Sequence, residues 1–304
     1  MKKNKLFLLT LIVGISFLLI FSSTILAQTR FGLAISTLNN PFFVTLRDGA
    51  QMKADELGVE LIIVDAQNDA SRQLNSIEDM IVRQIDILMI NPVDAEAIVT
   101  AIESANQAGI PVITVDRGAS GGEVVSHIAS DNVEGGRMAA RYMVEQLNEE
   151  GTIIELEGIP GTSAARDRGM GFNEIIDEYM DVEIVAKQPA GFDRAEGMEV
   201  TENLLQANPD VDAVFAHNDS MALGAIEAIE AAGMLDQIMV VGFDAIDDAK
   251  DAVREGTLAA TIAQKPDEMG MIAVETANRV MAGETVDEFI PVPLKLVTME
   301  NVDE

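Results

Sequence analysis

The 304-residue chain has no cysteine and no tryptophan, two tyrosines and two histidines. Without cysteine there is no disulfide framework, no thiolate zinc site, no thiol nucleophile and no attachment point for a lipid. Two histidines, His127 and His217, are too few for a multi-histidine metal centre. Positive charge is scarce as well, with 20 Lys and Arg against 51 Asp and Glu and a formal net charge of −31. A phosphate-backbone footprint needs clustered Lys and Arg, so the balance argues against nucleic acid as a partner. At ~100–200 residues per domain, the length fits two domains, each able to bury its own core.

One long apolar run stands at the start. Lys2, Lys3 and Lys5 precede a stretch from Leu6 to Phe21 that is apolar except for Thr10, Gly14 and Ser16; Ser22–Thr24 and Ile25-Leu26-Ala27 follow, then Gln28. This pattern reads as a secretory signal peptide over residues 1–27, cleaved near Ala27, and predicts a soluble protein in the periplasm. An uncleaved anchor is the alternative, since a span needs ~20 apolar residues. Loss of the three lysines would leave a mature charge of −34. Such self-repulsion is screened by salt, which raises a saline habitat as an expectation.

From Arg30 onward, short Val/Ile/Leu/Ala runs alternate with amphipathic stretches, the pattern of βαβ units around a parallel sheet. The runs 31–36, 59–65, 85–90, 110–115, 124–129, 151–156, 182–187, 211–216, 238–243 and 258–263 are read as strands buried on both faces. Helical periodicity over Leu46–Leu57 and Ala97–Ala108 ends at Gly58 and Gly109, which predicts two glycine-terminated helices. The two halves share one plan. A strand ends in Asn91 and another in Asp116, 25 residues on; Asn218 and Asp244 repeat the arrangement 26 residues apart. Two similar α/β lobes are therefore expected.

In open α/β sheets, ligands bind beyond the carboxyl ends of the strands. The residues delivered there include Asn40, Phe42 and Phe43, Asn91, Asp116-Arg117, Ser130-Asp131, Arg166-Asp167-Arg168, Phe192-Asp193, Asn218-Asp219, Asp244 and Gln264. Carboxylates, amides and guanidinia suit a neutral polyhydroxy ligand, because each hydroxyl both donates and accepts. Aromatic rings at the same ends would stack on the C–H faces of a sugar. Ordinary helix–sheet packing for the phenylalanines and a structural ion pair for Asp116-Arg117 are the competing readings. Catalytic patterns are missing. Gly158–Ser163 lacks the lysine of a phosphate loop, there is no Gly-x-Ser-x-Gly elbow, and Asp65–Asp69 lacks the glycine of a calcium loop and reads as a solvated turn. His127 falls inside a strand, as a packed core histidine would; His217, next to Asn218, is a candidate for the cleft wall.

Several long stretches carry a family resemblance: Ser36–Phe43 (STLNNPFF), Ile110–Arg117 (IPVITVDR), Gly122–Asn132, Gly161–Gly169 (GTSAARDRG), Phe215–Gly224 (FAHNDSMALG), Val240–Asp244 and Leu258–Gln264. Across essentially all of the chain after residue 27, it resembles the D-ribose-binding branch of the type I periplasmic binding proteins, which serve ABC sugar importers. The resemblance implies an α/β fold of two similar doubly wound parallel-sheet lobes joined by a three-strand hinge. It places one lobe at 28–130 plus 265–292 and the other at 131–264 plus 293–304. It also implies that Phe42, Phe43 and Phe192 sandwich the sugar ring and that Asn40, Asp116, Arg117, Arg168, Asn218, Asp244 and Gln264 hold its hydroxyls, with Asn91 at a peripheral position. His217 and Gly118 depart from the family pattern.

The expected protein is thus an exported, monomeric receptor that closes around D-ribose or a close monosaccharide and presents it to an ABC transporter permease, with a chemoreceptor as a further candidate partner. No catalytic residue, metal or cofactor is expected. A same-fold receptor for allose or a furanose-like signal molecule is the nearest alternative. A sugar-responsive repressor core is the remote one, and it would require an N-terminal helix-turn-helix where this chain has an apolar leader.

Overall fold

The computed structural model describes residues 29–304, so the signal peptide expected over residues 1–27 and its expected cleavage near Ala27 lie outside the described residues. All ten expected strands form: β1 (Arg30–Ile35), β2 (Glu60–Asp65), β3 (Ile87–Ile90), β4 (Val112–Val115), β5 (Ser126–Ala129), β6 (Gly151–Glu157), β7 (Val182–Pro189), β8 (Ala213–Ala216), β9 (Met239–Asp244) and β10 (Ala260–Ala263). Two short strands follow that sequence reading did not foresee, β11 (Phe289–Pro291) and β12 (Lys295–Thr298). Phe289–Val297 is largely apolar, but Pro291 and Pro293 interrupt it, and proline argues against a strand, so the run does not read as one. The helices among the described residues are α1 (Pro41–Leu57), α2 (Ala70–Val82), α3 (Val99–Gln107), α4 (Asn132–Gln146), α5 (Ser163–Ile176), α6 (Arg194–Ala207), α7 (Asp219–Ala231), α8 (Asp247–Glu255) and α9 (Pro266–Met281).

The strands build two six-stranded sheets, in the orders β11-β5-β4-β3-β1-β2 and β12-β10-β9-β8-β6-β7. Every pairing is parallel except that of β12 with β10. Within each half the first five strands follow a 2-1-3-4-5 order, the doubly wound arrangement whose switch point opens a crevice at the carboxyl edge. The chain passes from one sheet to the other three times, after β5, after β10 and between β11 and β12.

Alternation along each strand sends side chains to opposite faces. Phe31, Leu33 and Ile35 pack under α1 and α9, while Ala34 faces the cluster of Ile77, Met80 and Ile102 on the other side. The second sheet does the same, with Ile153 and Phe215 on one face and Ile154, Val214 and Ala216 on the other. Both faces are covered, which is why these strands read as continuous apolar runs.

The loops that leave the carboxyl edge are fixed by helix caps. Asn40, Asp69, Asp131, Thr162, Asp193 and Asn218 each accept a hydrogen bond from a backbone N–H in the first turn of the helix that follows. At the other end of α1, Gly58 terminates the helix at φ 70°, a left-handed conformation that costs glycine little. Helices α4 and α5 meet so closely that a Cβ on Gly136 would run into the Arg168 carbonyl. That approach sets α5, and with it Arg168, at a fixed height above the second sheet.

Candidate functional site

At the edge where the two sheets face each other, both lobes line one narrow cleft. The first lobe contributes Asn40, the N-cap of α1, Phe42 and Phe43 from the first turn of α1, and Asp116 with Arg117 from the end of β4. The second contributes Ala164 and Arg168 from α5, Phe192 from the turn before α6, Asn218 from the end of β8, Asp244 from β9 and Gln264 after β10. Ten of the eleven sequence-expected residues therefore meet at one place; Asn91 is the exception.

Asn91 sits behind the wall, fully buried. Its Nδ2 donates to Asp116 Oδ2 and to the Val115 carbonyl, both at 3.1 Å, and its Oδ1 accepts from the Ser36 backbone N–H at 3.2 Å. It anchors Asp116 and leaves nothing over for a ligand. His217 is likewise no part of the wall. Its ring is completely buried, with Nε2 2.9 Å from Glu155 Oε1 and the Gly158 N–H facing Nδ1, and His217 does not line the cleft. His127 is partly buried on β5, its Nδ1 2.9 Å from Thr114 Oγ1. Asp65–Asp69 forms a turn whose carboxylates hold the Gln67 and Arg72 N–H groups, as a solvated turn should.

The electrostatics of the wall rest on two carboxylates and two guanidinia, each less than a tenth exposed. Arg117 Nε lies 3.9 Å from Asp116 Oδ2, and Arg168 Nη1 lies 3.5 Å from Asp244 Oδ1. Arg168 is further locked by Asn132 Oδ1 (2.8 Å), the His217 carbonyl (2.6 Å) and the face of Phe243 (3.8 Å). Arg117 donates to the Pro92 carbonyl and lies over both Phe43 and Phe192. Burial pushes the Asp244 carboxyl up to about 7, against the pull of Arg168 and the Gln264 amide. It raises Asp116 too, with Arg117 and Arg168 opposing. The Arg117 guanidinium is lowered to about 10, mainly by burial. A charge buried this deeply is tolerable when paired and fully hydrogen-bonded. Here Asp116 Oδ1, Arg117 Nε and Gln264 Oε1 have no hydrogen-bond partner among the described residues. Acceptors and donors left over on opposing walls match the two-way hydrogen bonding of hydroxyl groups.

Four of the nine non-glycine residues with positive φ among the described residues lie at or next to the cleft. Asp116, Phe192, Asp244 and Ala245 all have positive φ, at 63°, 58°, 116° and 56°. For non-glycine residues such angles cost about 1–3 kcal/mol each and cluster at functional sites. Sequence reading missed this, along with the supports Asn132, Glu155 and Gly158. A Cβ on Gly158 would run into the Phe192 ring, so that ring is seated directly on the glycine. The only local hint is Gly191 beside Phe192, which marks a turn without saying which way the ring points.

A two-lobed α/β fold with a polar, aromatic-walled cleft defines a class, and residues 31–285 match the model of the periplasmic binding protein domain. The chain belongs to that family. Among individual proteins, it is 52% identical to the ribose import binding protein RbsB of Haemophilus influenzae over 277 residues, 91% of this chain and 94% of the relative. It is 50% identical to RbsB of Bacillus subtilis, over 88% of this chain and 87% of that one. An ABC transporter solute-binding protein of Bacillus halodurans, solved with bound myo-inositol, superposes with a TM-score of 0.87 at 37% identity, covering 91% of this chain and 96% of its own.

Proposed function

We propose that the protein captures D-ribose in the interlobe cleft and delivers it to an ABC importer. The observation that carries this reading is the set of paired but incompletely bonded charges contributed by both lobes, Asp116 and Arg117 facing Arg168 and Asp244. Asp116, Asp244 and Gln264 accept from sugar hydroxyls, Arg117, Arg168, Asn40 and Asn218 donate to them, and Phe42, Phe43 and Phe192 cover the ring faces. Half-identity to ribose import binding proteins over nearly the full chain selects ribose among polyhydroxy ligands.

The two lobes, 28–130 plus 265–292 and 131–264 plus 293–304, move as units about the three crossings. Sugar contacts from both walls coexist only when the lobes are closed, so ligand shifts the population toward that form. Two direct hydrogen bonds join the rims in the closed form: Ala95 N–H to the Gly161 carbonyl at 3.0 Å and Gly118 N–H to Ser163 Oγ at 2.8 Å. The protein acts after export, with the leader removed near Ala27, and the closed form is what the permease receives; a chemoreceptor would read the same form. Calorimetry with D-ribose, L-arabinose, D-allose, D-glucose and myo-inositol tests the reading. D-ribose should bind tightest, and tighter binding of any other member overturns it.

A further inference from the structure

One buried carboxyl of the second lobe is not explained by contact with a sugar. Asp219, the first residue of α7, is fully buried and does not line the cleft, although Asn218 before it does. Its Oδ2 accepts from the Ile246 N–H at 3.0 Å, and its Oδ1 accepts from Thr261 Oγ1 at 2.7 Å. Thr261, fully buried in β10, in turn accepts from the Ala245 N–H at 3.2 Å. A hydroxyl can do both at once, because it carries one hydrogen and two lone pairs. Strand β9 has a glycine where it passes this carboxyl: a Cβ on Gly242 would run into Asp219 Oδ1.

The two N–H groups held in this way belong to the residues directly after Asp244. Asp244 and Ala245 have φ of 116° and 56°, and a non-glycine backbone keeps such angles only where its surroundings over-determine them. Asp219 and Thr261 supply those surroundings from α7 and β10. Burial and the Asp244 charge push the Asp219 carboxyl well up. A carboxyl oxygen accepts from an N–H with or without a proton on the other oxygen, so the tie does not depend on ionisation. We propose that Asp219 is a positioning residue for sugar binding, which together with Thr261 clamps the Ala245–Ile246 turn and so aims the Asp244 side chain into the cleft. In the first lobe Asn91 steadies Asp116 by bonding its carboxylate directly. In the second, Asn218 stands on the wall, and the residue after it fixes the aspartate through the backbone.

The inference rests on the ribose reading, and a double-mutant cycle followed by calorimetry separates the two. Absence of ribose binding by the wild type overturns both. Given binding, Thr261→Val keeps the shape of the side chain, removes the hydroxyl and leaves the Ala245 N–H without its acceptor. Its Kd for D-ribose is expected to rise about five- to thirtyfold. Thr261→Ser, which restores the hydroxyl, should return to within about twofold of the wild type. Asp219→Ala, which releases the turn from both ties, should raise Kd roughly tenfold or more. In Asp244→Ala protein, titrated at high sugar concentration, Thr261→Val and Asp219→Ala should each change Kd by less than about twofold, because the side chain they aim is gone. A purely structural role would lower affinity equally in both backgrounds. Equal losses with and without Asp244 therefore overturn the inference and leave ribose binding intact, as does wild-type affinity in Thr261→Val. If Asp219→Ala does not fold, Thr261→Val with its own cycle decides.

Discussion

Asn91 and Asn218 end equivalent strands in the two lobes, each followed about 25 residues later by a strand-end aspartate, yet they do different work. Asn91 spends every polar atom on the first lobe: Ser36, Val115 and Asp116 take all it has. Asn218 caps α7 by accepting from the Met221 N–H, and its Nδ2 makes only a long 3.4 Å contact with the Phe192 carbonyl, beside the cleft. The aspartates diverge in the same way. Asp116 leans on a neighbour in sequence, Arg117, whereas Asp244 meets an arginine delivered by α5 from outside its own strand. A repeated pattern therefore fixes where a side chain emerges, and the packing around it decides whether the chain or a ligand satisfies it.

The sharpest way to break this comparison is to remove either aspartate. Asp116→Ala and Asp244→Ala each strand a buried guanidinium, which costs about 2–5 kcal/mol. Ribose affinity should fall roughly 30- to several-thousand-fold in each by calorimetry, since ~1.4 kcal/mol is tenfold. A smaller loss is expected from Gly158→Ala, which drives a methyl group into the Phe192 ring. Overpacking of about 1–3 kcal/mol corresponds to roughly 5- to 150-fold in Kd if Phe192 is displaced from the ligand-binding position. The asparagines come next. Asn91→Ala leaves buried partners unbonded at about 1–3 kcal/mol and should lower Tm more than Asn218→Ala, whose lost cap is worth about 1 kcal/mol. Asn218→Ala should lose more ribose affinity for each degree of Tm. If the two variants show the same ratio, the assignment of support and contact is wrong.

The least effect concerns the surface both lobes share. Between 0.1 M and 1 M salt the Debye length shrinks from ~10 Å to ~3 Å. With 51 acidic against 20 basic residues, Tm of the ligand-free protein should rise over that range. A flat or falling trend in thermal melts would remove the saline-habitat idea and leave the cleft unaffected.

What the sequence made legible follows from physics that acts locally. Strands buried on both faces must be apolar throughout, so all ten central strands could be read, and the Asn and Asp residues at their ends marked the binding edge. The resemblance in long motifs then named the lining residues one by one. Illegible were the features that depend on distant packing. Nothing near Asn91 shows that Ser36, 55 residues earlier, will consume its oxygen. His217 looked like a wall residue because Asn218 beside it is one; its strand turns the ring toward Glu155, 62 residues away. The positive φ of Phe192 and Asp244, and the short strands β11 and β12, are set by tertiary contacts rather than by propensity.

The central claim is that one ribose molecule is held by both lobes at once. Small-angle X-ray scattering of the wild type with and without saturating D-ribose tests it most directly, alongside Asp244→Ala at the same sugar concentration. The radius of gyration should fall on adding ribose to the wild type and stay unchanged in the variant. A wild-type radius that does not move, while calorimetry shows the ribose bound, would contradict the account.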